Sequence, residues 1–367
     1  MMRVLHVLGG LNRGGAETMV MNLYRTIDRG KVQFDFIIHN NMYDDYRGEI
    51  EKMGGKIFVF PVFKGYNSIQ YKRVWKTFLT NHPEYKIVHS HVRSYASVFL
   101  PIAKKYGLKT IVHSHSTSNG SGLKSIVKYI LQKPLVNQAD YLFACSQISG
   151  EWLFGKKGIK KSNYYMVKNS IKVEKYRFSE ATRDIYRNKL KLENKIAFVH
   201  IGRLSKAKNH SFLLKVFRKI LDIESNAVLV IIGNGELKTQ IENQIHDLIL
   251  EDNVYMLGAR EDVASLLQAM DLLLFPSLWE GLPVTVVEAQ ASGLPCLVSN
   301  TVTQEVNLSS CVKYLPIDEG VDIWAESAIK NVNYRFPEAA DLVISSGYDV
   351  NVTAKWLIDF YRGMLDG

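Results

Sequence analysis

The segment DLLLFPSLWEGLPVTVVEAQASGLPCLVSN, Asp271–Asn300, holds a strand, a loop, a helix and a second strand in one stretch. Leu272 to Phe275 form an unbroken apolar run that stops at Pro276. A run without polar alternation suits a strand covered on both faces, which is the parallel-sheet condition. Trp279, Glu280, Gly281 and Leu282 form the loop that follows. Pro283 is predicted at the first helical position, where its missing N–H would have no partner anyway. PCLVSN then supplies the next strand.

The same alternation extends outward in both directions. RVLHVLGG, FDFIIHN, KIFVFPV, KIVHSH and TIVHSHS read as strands separated by helices such as ETMVMNLYRTI and IQYKRVWKTFLTNH. The pattern restarts near Ile196 with KIAFVHIGRL, AVLVIIGNG and VYMLGA. This predicts an α/β protein of two Rossmann-like, doubly wound domains facing across a cleft. The expected boundaries are 1–175 and 176–352, with a last helix over 353–366 packing back on the first domain. The basic stretch FGKKGIKKSNYYMVKNSIKVEKYRF is expected to be an irregular link. Ligands of such domains bind at the carboxyl ends of the strands.

Composition narrows the class. Hydrophobic residues make up 47% and charged residues 22% of 367, ordinary for a globular protein with a large core. No apolar run is long enough to span a bilayer, and MMRVLHVLGGLNRGG reads as a first strand rather than a signal peptide. Three scattered cysteines, Cys145, Cys296 and Cys311, fit a reducing, cytoplasmic setting and argue against a disulfide framework or zinc site. Charge is divided unevenly. Residues 1–200 hold 33 Lys and Arg against 14 Asp and Glu, or +19, whereas residues 201–367 hold 13 against 22, or −9. The basic half is expected to meet an anionic partner.

Several positions carry chemistry. A helix N-terminus at Pro283 offers unpaired N–H groups to a phosphate. Glu288, within the helix, can accept from two sugar hydroxyls, and Glu280 lies nearer whatever the phosphate carries. Arg203 and Lys208 in GRLSKAKNH follow a strand end, where fixed cations stabilise a departing diphosphate. Gly233 ends the strand AVLVIIG and permits a close backbone approach. The loop GGLNRGGAE lacks the G-x-G-x-x-G spacing, and His39 and Asn40 stand where a ribose-binding acid would end the second strand; both features count against NAD or FAD. His89 with His91, and His113 with His115, share strand faces without an adjacent acid or thiol, so no metal site is expected.

Glu280 and Glu288 with Gly281, Leu282 and Pro283 between them resemble the signature of retaining glycosyltransferases of the GT-B fold, family 4, of the bacterial cell-surface polysaccharide type. LGGLNRGGAETMVMNL, GRLSKAKNHSFLLKVF, IIGNGE, VYMLGARED and FPSLWEGLPVTVVEAQASGLP stand in that family's order, over nearly the whole chain. The resemblance implies a nucleotide-diphosphate sugar donor, with a UDP-sugar favoured, a hexosyl transfer and no obligatory metal or other cofactor. It implies donor contacts from Gly15, Asn169, Arg203, Lys208, Gly233, Leu257, Gly281, Leu282, Pro283 and Glu288. His115, Glu280, Arg203 and Lys208 take the catalytic roles. Where the family has Asn-Gly at the crossover, this chain has Asn169-Ser170.

The +19 of residues 1–200 against −9 beyond them leads to the expectation of a saccharide acceptor, lipid-diphosphate-linked, reached by a cytoplasmic protein held peripherally on the inner face of the cell membrane. Nucleic acid is not an expected partner, since the basic half has no reader motif. Between Glu51 and Gln138 there are 14 Lys and Arg against 2 Asp and Glu. There GLKSIVKYILQKPLV places Leu123, Ile126, Val127, Ile130 and Leu131 at helical spacing, with Lys124, Lys128 and Lys133 around them. That stripe is expected to pack on the sheet, the alternative being an anionic membrane surface. Two alternatives stand beside this reading: a sugar-nucleotide epimerase of the same architecture, and a non-catalytic nucleotide-sugar or nucleic-acid binding protein.

Overall fold

The computed structural model describes every residue except 13, 41–44, 117–121, 333–334 and 367, and excludes the side chains of 123 and 124. It divides into two units. Unit 1 is residues 1–171 with 350–367, and unit 2 is residues 172–349.

Unit 1 is built on seven strands: β1 (Met2–Leu8), β2 (Val32–Ile38), β3 (Ile57–Val59), β4 (Ile87–Ser90), β5 (Lys109–Ser114), β6 (Tyr141–Ala144) and β7 (Tyr164–Met166). They lie in the order β3-β2-β1-β4-β5-β6-β7 with every pairing parallel. Unit 2 has β8 (Ile196–Ile201), β9 (Ala227–Ile232), β10 (Val254–Gly258), β11 (Leu272–Phe275), β12 (Cys296–Ser299) and β13 (Val312–Leu315). Their order is β10-β9-β8-β11-β12-β13, again parallel throughout. Each sheet thus winds outward in both directions from its first strand, and the reversal falls between β1 and β4 and between β8 and β11. The carboxyl ends at those two reversals are where such sheets open a crevice.

The quoted segment folds as its pattern dictates. Residues Leu272–Phe275 are buried without exception and pair on both sides, with β8 and β12. Asp271 anchors the strand. Its carboxylate accepts from the Ala197 amide at 2.7 Å and is clamped by Arg183 at 2.5 Å and Arg187 at 3.2 Å. The helix that follows is Val284–Ala291, so Pro283 stands one residue earlier than predicted, with extended backbone angles and φ −76°. Its fixed φ still aims the chain into the helix.

The stretch read as an irregular link is partly ordered. It contributes β7, an edge strand on β6, and the end of the helix Gln147–Gly158. A three-residue edge strand such as YYM carries too short a pattern to stand out. The chain's last helix, Val350–Asp366, enters the core of unit 1 through Ala354, Leu357, Tyr361 and Met364, against Val4, Leu8 and Phe34. Each such buried side chain contributes about 1.5–3 kcal/mol. Another expectation is corrected. The helix Leu123–Gln132 does not pack its apolar stripe on the sheet: Ile126, Val127 and Ile130 are exposed by more than half. Leu123 of the same predicted stripe, and Lys124 beside it, have side chains outside the described residues.

Candidate active site at the strand ends

In unit 2 the polar side chains gather where the sheet reverses. β8 runs into Gly202 and Arg203, then a single 3-10 turn, Lys206–Lys208, then the helix His210–Ile223. Asn209 joins the two with a left-handed φ of 55°. β11 runs into the Trp279–Leu282 loop. The two segments meet through a backbone hydrogen bond, Leu278 N–H to the Ala207 carbonyl at 2.7 Å, and an ion pair, Lys208 Nζ to Glu280 Oε1 at 2.7 Å, with the side chains only 13% and 15% exposed. Lys208 Nζ also sits 4.4 Å from the centre of the Phe275 ring, on the last residue of β11. The lysine stem passes over Gly202, where an added Cβ would lie 2.5 Å from Lys208 Cε.

Arg203 is placed differently. Its side chain is 74% exposed and pairs with Glu236 at 3.1 Å. Lys208 and Glu280 are therefore brought together, while Arg203 stands out in solvent. Lys206, between them, is exposed.

Glu288 lies in the helix Val284–Ala291 between the buried Val287 and Ala289. Its Oε1 accepts a hydrogen bond from the Tyr176 hydroxyl at 2.7 Å. Burial raises the Glu288 carboxyl above its ordinary range, and the tyrosine bond partly offsets that. Tyr176, from the short helix Val173–Tyr176, was not singled out in the sequence, where nothing marks it among neighbouring aromatic and basic residues.

Gly233 and its neighbour Gly235 have a packing reason to be glycine. A Cβ on Gly233 would lie 2.0 Å from the Gly202 carbonyl oxygen, and one on Gly235 2.3 Å from that of Leu204. The close approach there is backbone against backbone. Leu257 is half-buried on the edge strand β10, at the point where the register with β9 shifts between Met256 and Gly258. Gly281 is exposed at the loop tip, Leu282 is half-buried and Pro283 is buried.

The carboxyl ends of unit 1 carry a cluster of rings, with the Arg93 charge bearing on His115. His6 of β1, His89 and His91 at the end of β4, and His113 and His115 at the end of β5 form one stacked cluster. Ring centres are 4.4 Å apart for His89 and His91 and 4.0 Å for His113 and His115. His6 Nδ1 lies 2.9 Å from His91 Nε2, and His91 Nδ1 lies 2.8 Å from His115 Nε2. A second branch joins His113 to His89 at 3.3 Å and His89 to the Tyr361 hydroxyl at 2.6 Å. Burial holds every ring neutral: His6 and His115 are pushed down to about 3, and His89, His91 and His113 fall well below the usual imidazole range. His6 was missed in the sequence. Its signal was there: RVLHVL, KIVHSH and TIVHSH all put histidine at the end of a neighbouring strand.

Among the described residues, two imidazole triads, His6–His89–His91 and His91–His113–His115, come within metal-ligating reach, their nitrogens within 4.8 Å of one another. The spacing argues for shared protons instead. Tetrahedral zinc with Zn–N of about 2.0–2.1 Å would hold its nitrogens about 3.3 Å apart, longer than the 2.9 and 2.8 Å found here. No carboxylate or thiolate joins either triad to balance a dication in so buried a place.

Asn169, after β7, is 7% exposed and acts on the His115 ring. Gly15 is the first residue of the helix Gly15–Thr26, and an added Cβ there would meet nothing within 4 Å. His115 and Asn169 are thus brought together at the sheet end.

Comparison with known proteins places this geometry. The model for "Glycosyltransferase Family 4" matches residues 13–175, and that for "Glycosyl transferases group 1" matches residues 182–307. The chain is 32% identical to the putative glycosyltransferase EpsF of Bacillus subtilis (strain 168), over 98% of this chain and 96% of that protein. It is 28% identical, over 62% of its length and 60% of the relative's, to an Escherichia coli protein. That relative is named UDP-Gal:alpha-D-GlcNAc-diphosphoundecaprenol alpha-1,3-galactosyltransferase. The structure of Anabaena Alr3699/HepE with UDP-glucose matches with a TM-score of 0.78 at 18% identity, over 99% of this chain and 100% of that one. With two Rossmann-like parallel sheets and a full-length relative above 30% identity, this chain belongs to the GT-B-fold glycosyltransferases of the family 4 type.

Proposed function

We propose that the protein transfers a hexosyl unit, with retention, from a UDP-sugar to a saccharide carried on a lipid diphosphate, in the assembly of a cell-surface polysaccharide. The observation that carries this reading is the buried Lys208–Glu280 pair at the reversal of the unit 2 sheet, with Glu288 on the helix beyond it. An ammonium group has three N–H donors. Lys208 can keep one on Glu280 and turn the others to the diphosphate, where negative charge grows as the glycosidic bond breaks. Glu280 then has an oxygen for a sugar hydroxyl. Glu288 exchanges the Tyr176 hydroxyl for those of the ribose. Arg203, exposed and loosely paired, swings in as a second cation. His115 and Asn169 serve the sugar, as the family resemblance implies. With the positive charge supplied by side chains, transfer proceeds without a metal ion. The leaving phosphate itself helps take the acceptor proton in a front-side displacement. The names of two similar proteins support the donor and acceptor: one acts with UDP-Gal on a diphosphoundecaprenol-linked sugar, and another was solved with UDP-glucose.

The surface of unit 1 supports a membrane-borne acceptor. No helix among the described residues is long and apolar enough to cross a membrane; the attachment proposed is peripheral. Ile126, Val127, Tyr129 and Ile130 are all exposed by more than half. Beside them runs a groove of about 690 Å³ whose walls include Phe63, Pro101 and Tyr106 with Lys72, Lys76 and Lys105. Apolar side chains among lysines suit an anionic bilayer surface, where each Lys or Arg contributes about 1 kcal/mol. The test is release of UDP from UDP-sugars, in the presence of a chelator, with vesicles that do or do not carry a lipid-diphosphate saccharide. Release that requires the loaded anionic vesicles, and that high salt suppresses, is the expected outcome. Epimerisation without release, or transfer only to soluble sugars, would refute it.

A further inference from the structure

Three of the buried histidines form a wire with two ends. His6 Nδ1 meets His91 Nε2 at 2.9 Å, and His91 Nδ1 meets His115 Nε2 at 2.8 Å. A neutral imidazole has one N–H, so it donates from one nitrogen and accepts at the other. The contacts then admit only two consistent polarities. Either all three rings carry the proton on Nδ1 and donate outward toward His115, or all three carry it on Nε2 and donate inward toward His6.

The ends decide between them. His6 Nε2 is buried and has no hydrogen-bond partner, and the His6 ring lies 4.0 Å from the centre of the Phe34 ring and 5.9 Å from that of Phe36. Inward polarity would bury an N–H against those rings without an acceptor, a rarer and costlier outcome than a bare acceptor. At the other end, His115 Nδ1 and Asn169 Oδ1 are both buried and both without a hydrogen bond of good geometry. Asn169 nonetheless acts on the His115 ring. Outward polarity gives that amide oxygen the donor it lacks.

We infer that His6 and His91 are positioning residues that fix His115 as its Nδ1–H tautomer, so that His115 presents a donor, and never a base, to the ligand. An oxygen acceptor of the donor sugar, a hydroxyl or ring oxygen, then takes the place of Asn169 Oδ1. This rests on the proposed placement of His115 at the sugar. The tautomer itself does not, and it can be measured without any ligand.

The experiment is long-range proton–nitrogen correlation NMR on full-length protein with nitrogen-labelled histidine, assigned through single-histidine variants. In the wild type, His115 should show a protonated Nδ1 and a bare Nε2; a protonated Nε2 would overturn the inference outright. H6L removes the start of the wire, and His115 should then show a mixture of tautomers. H6N keeps an N–H near the Nδ1 position and should restore the single form. In turnover, H6L should lower kcat about tenfold with donor KM unchanged, and H6N should stay within about twofold of wild type. Equal losses in both variants, or a change in KM alone, would show that His6 only supports the core. If the wild type has the expected tautomer yet UDP-sugars neither bind nor react, the functional reading fails and the wire stands.

Discussion

The two sheets share one topology and treat their carboxyl ends in opposite ways. In unit 1 the strand ends carry neutral rings: five histidines stacked and hydrogen-bonded among themselves. In unit 2 they carry ions, Lys208 against Glu280 at 2.7 Å. Net charge runs along a different axis. Unit 1 holds 27 Lys and Arg against 12 Asp and Glu, or +15, and unit 2 holds 19 against 24, or −5. The basic unit therefore gathers neutral rings at its strand ends, with Arg93 the cation that bears on His115, and the acidic unit gathers a cation paired with a carboxylate. Bulk charge describes the surface a protein shows to distant partners, whereas a site is set by the few groups that the strand ends bring together. Hydroxyl-bearing sugars call for neutral donors, and a leaving diphosphate calls for a fixed cation.

Acid should expose this contrast most strongly. Six histidines of unit 1 are held neutral by burial (His39 with the five already named), against His200 and His210 in unit 2. Their folded values lie below the unfolded 6.5. Each therefore leaves stability whole above pH 6.5 and removes it as pH falls toward the folded value, about 3 for His6 and His115 and about 4 for His39 and His210. Each ring weakens folding by about 1.4 kcal/mol per pH unit in that window. Six rings give up to about 8 kcal/mol per pH unit and two give up to about 3. Glu17 and Glu288 shift upward, one in each unit, and do not alter the difference. Amide exchange of the full chain between pH 6.5 and 4.5, corrected for intrinsic rates, should show the unit 1 strands losing protection first. Simultaneous loss in both units would break the comparison.

Lys208→Ala should come next in size. It removes the charge that the proposed function gives to the leaving group, which should lower the transfer rate about 100- to 1,000-fold, and it strands the Glu280 carboxylate. Arg203→Ala, at a side chain 74% exposed, should cost about tenfold in rate at most and leave the melting temperature unchanged. Kinetics and melts of both variants check this. Equal rate losses would mean that burial of the ion pair has no bearing on the chemistry.

Tyr176→Phe should have the smallest effect and the opposite sign. The phenol donates to Glu288 Oε1, the carboxylate that the proposed function gives to the ribose hydroxyls. Its removal should tighten UDP binding about two- to fivefold, equivalent to about 0.5–1 kcal/mol. Weaker binding would make Tyr176 part of the nucleotide site and not a stand-in for it.

Much of this was legible in the sequence. The β11 run and the β8 restart at Ile196 read correctly because buried parallel strands are unbroken apolar runs. β6, β7 and β13 were overlooked: β7 and β13 are edge strands whose half-exposed residues break the apolar run, and β6 is a four-residue run with only three buried positions. At the site, Glu280, Glu288 and Lys208 stood out by residue type. That Lys208 would pair with Glu280 while Arg203 turned outward was not legible, because it depends on two loops crossing where the strand order reverses. The role of Gly233 was likewise hidden, since its reason is the carbonyl of Gly202 on a neighbouring strand's loop. The helix Leu123–Gln132 shows the limit of periodicity: it finds an apolar face without saying what covers it.

The central claim is that unit 2 binds a uridine diphosphate through Glu288 and the Lys208 charge with no metal. Titration calorimetry of UDP into the full-length protein in the presence of a chelator, wild type against Glu288→Ala, tests it most directly. The wild type should bind saturably, and the variant should bind more weakly by about 1.5–3 kcal/mol, or about 10- to 150-fold in Kd. No binding by the wild type until a divalent ion is added, or equal affinity in the two proteins, would contradict it.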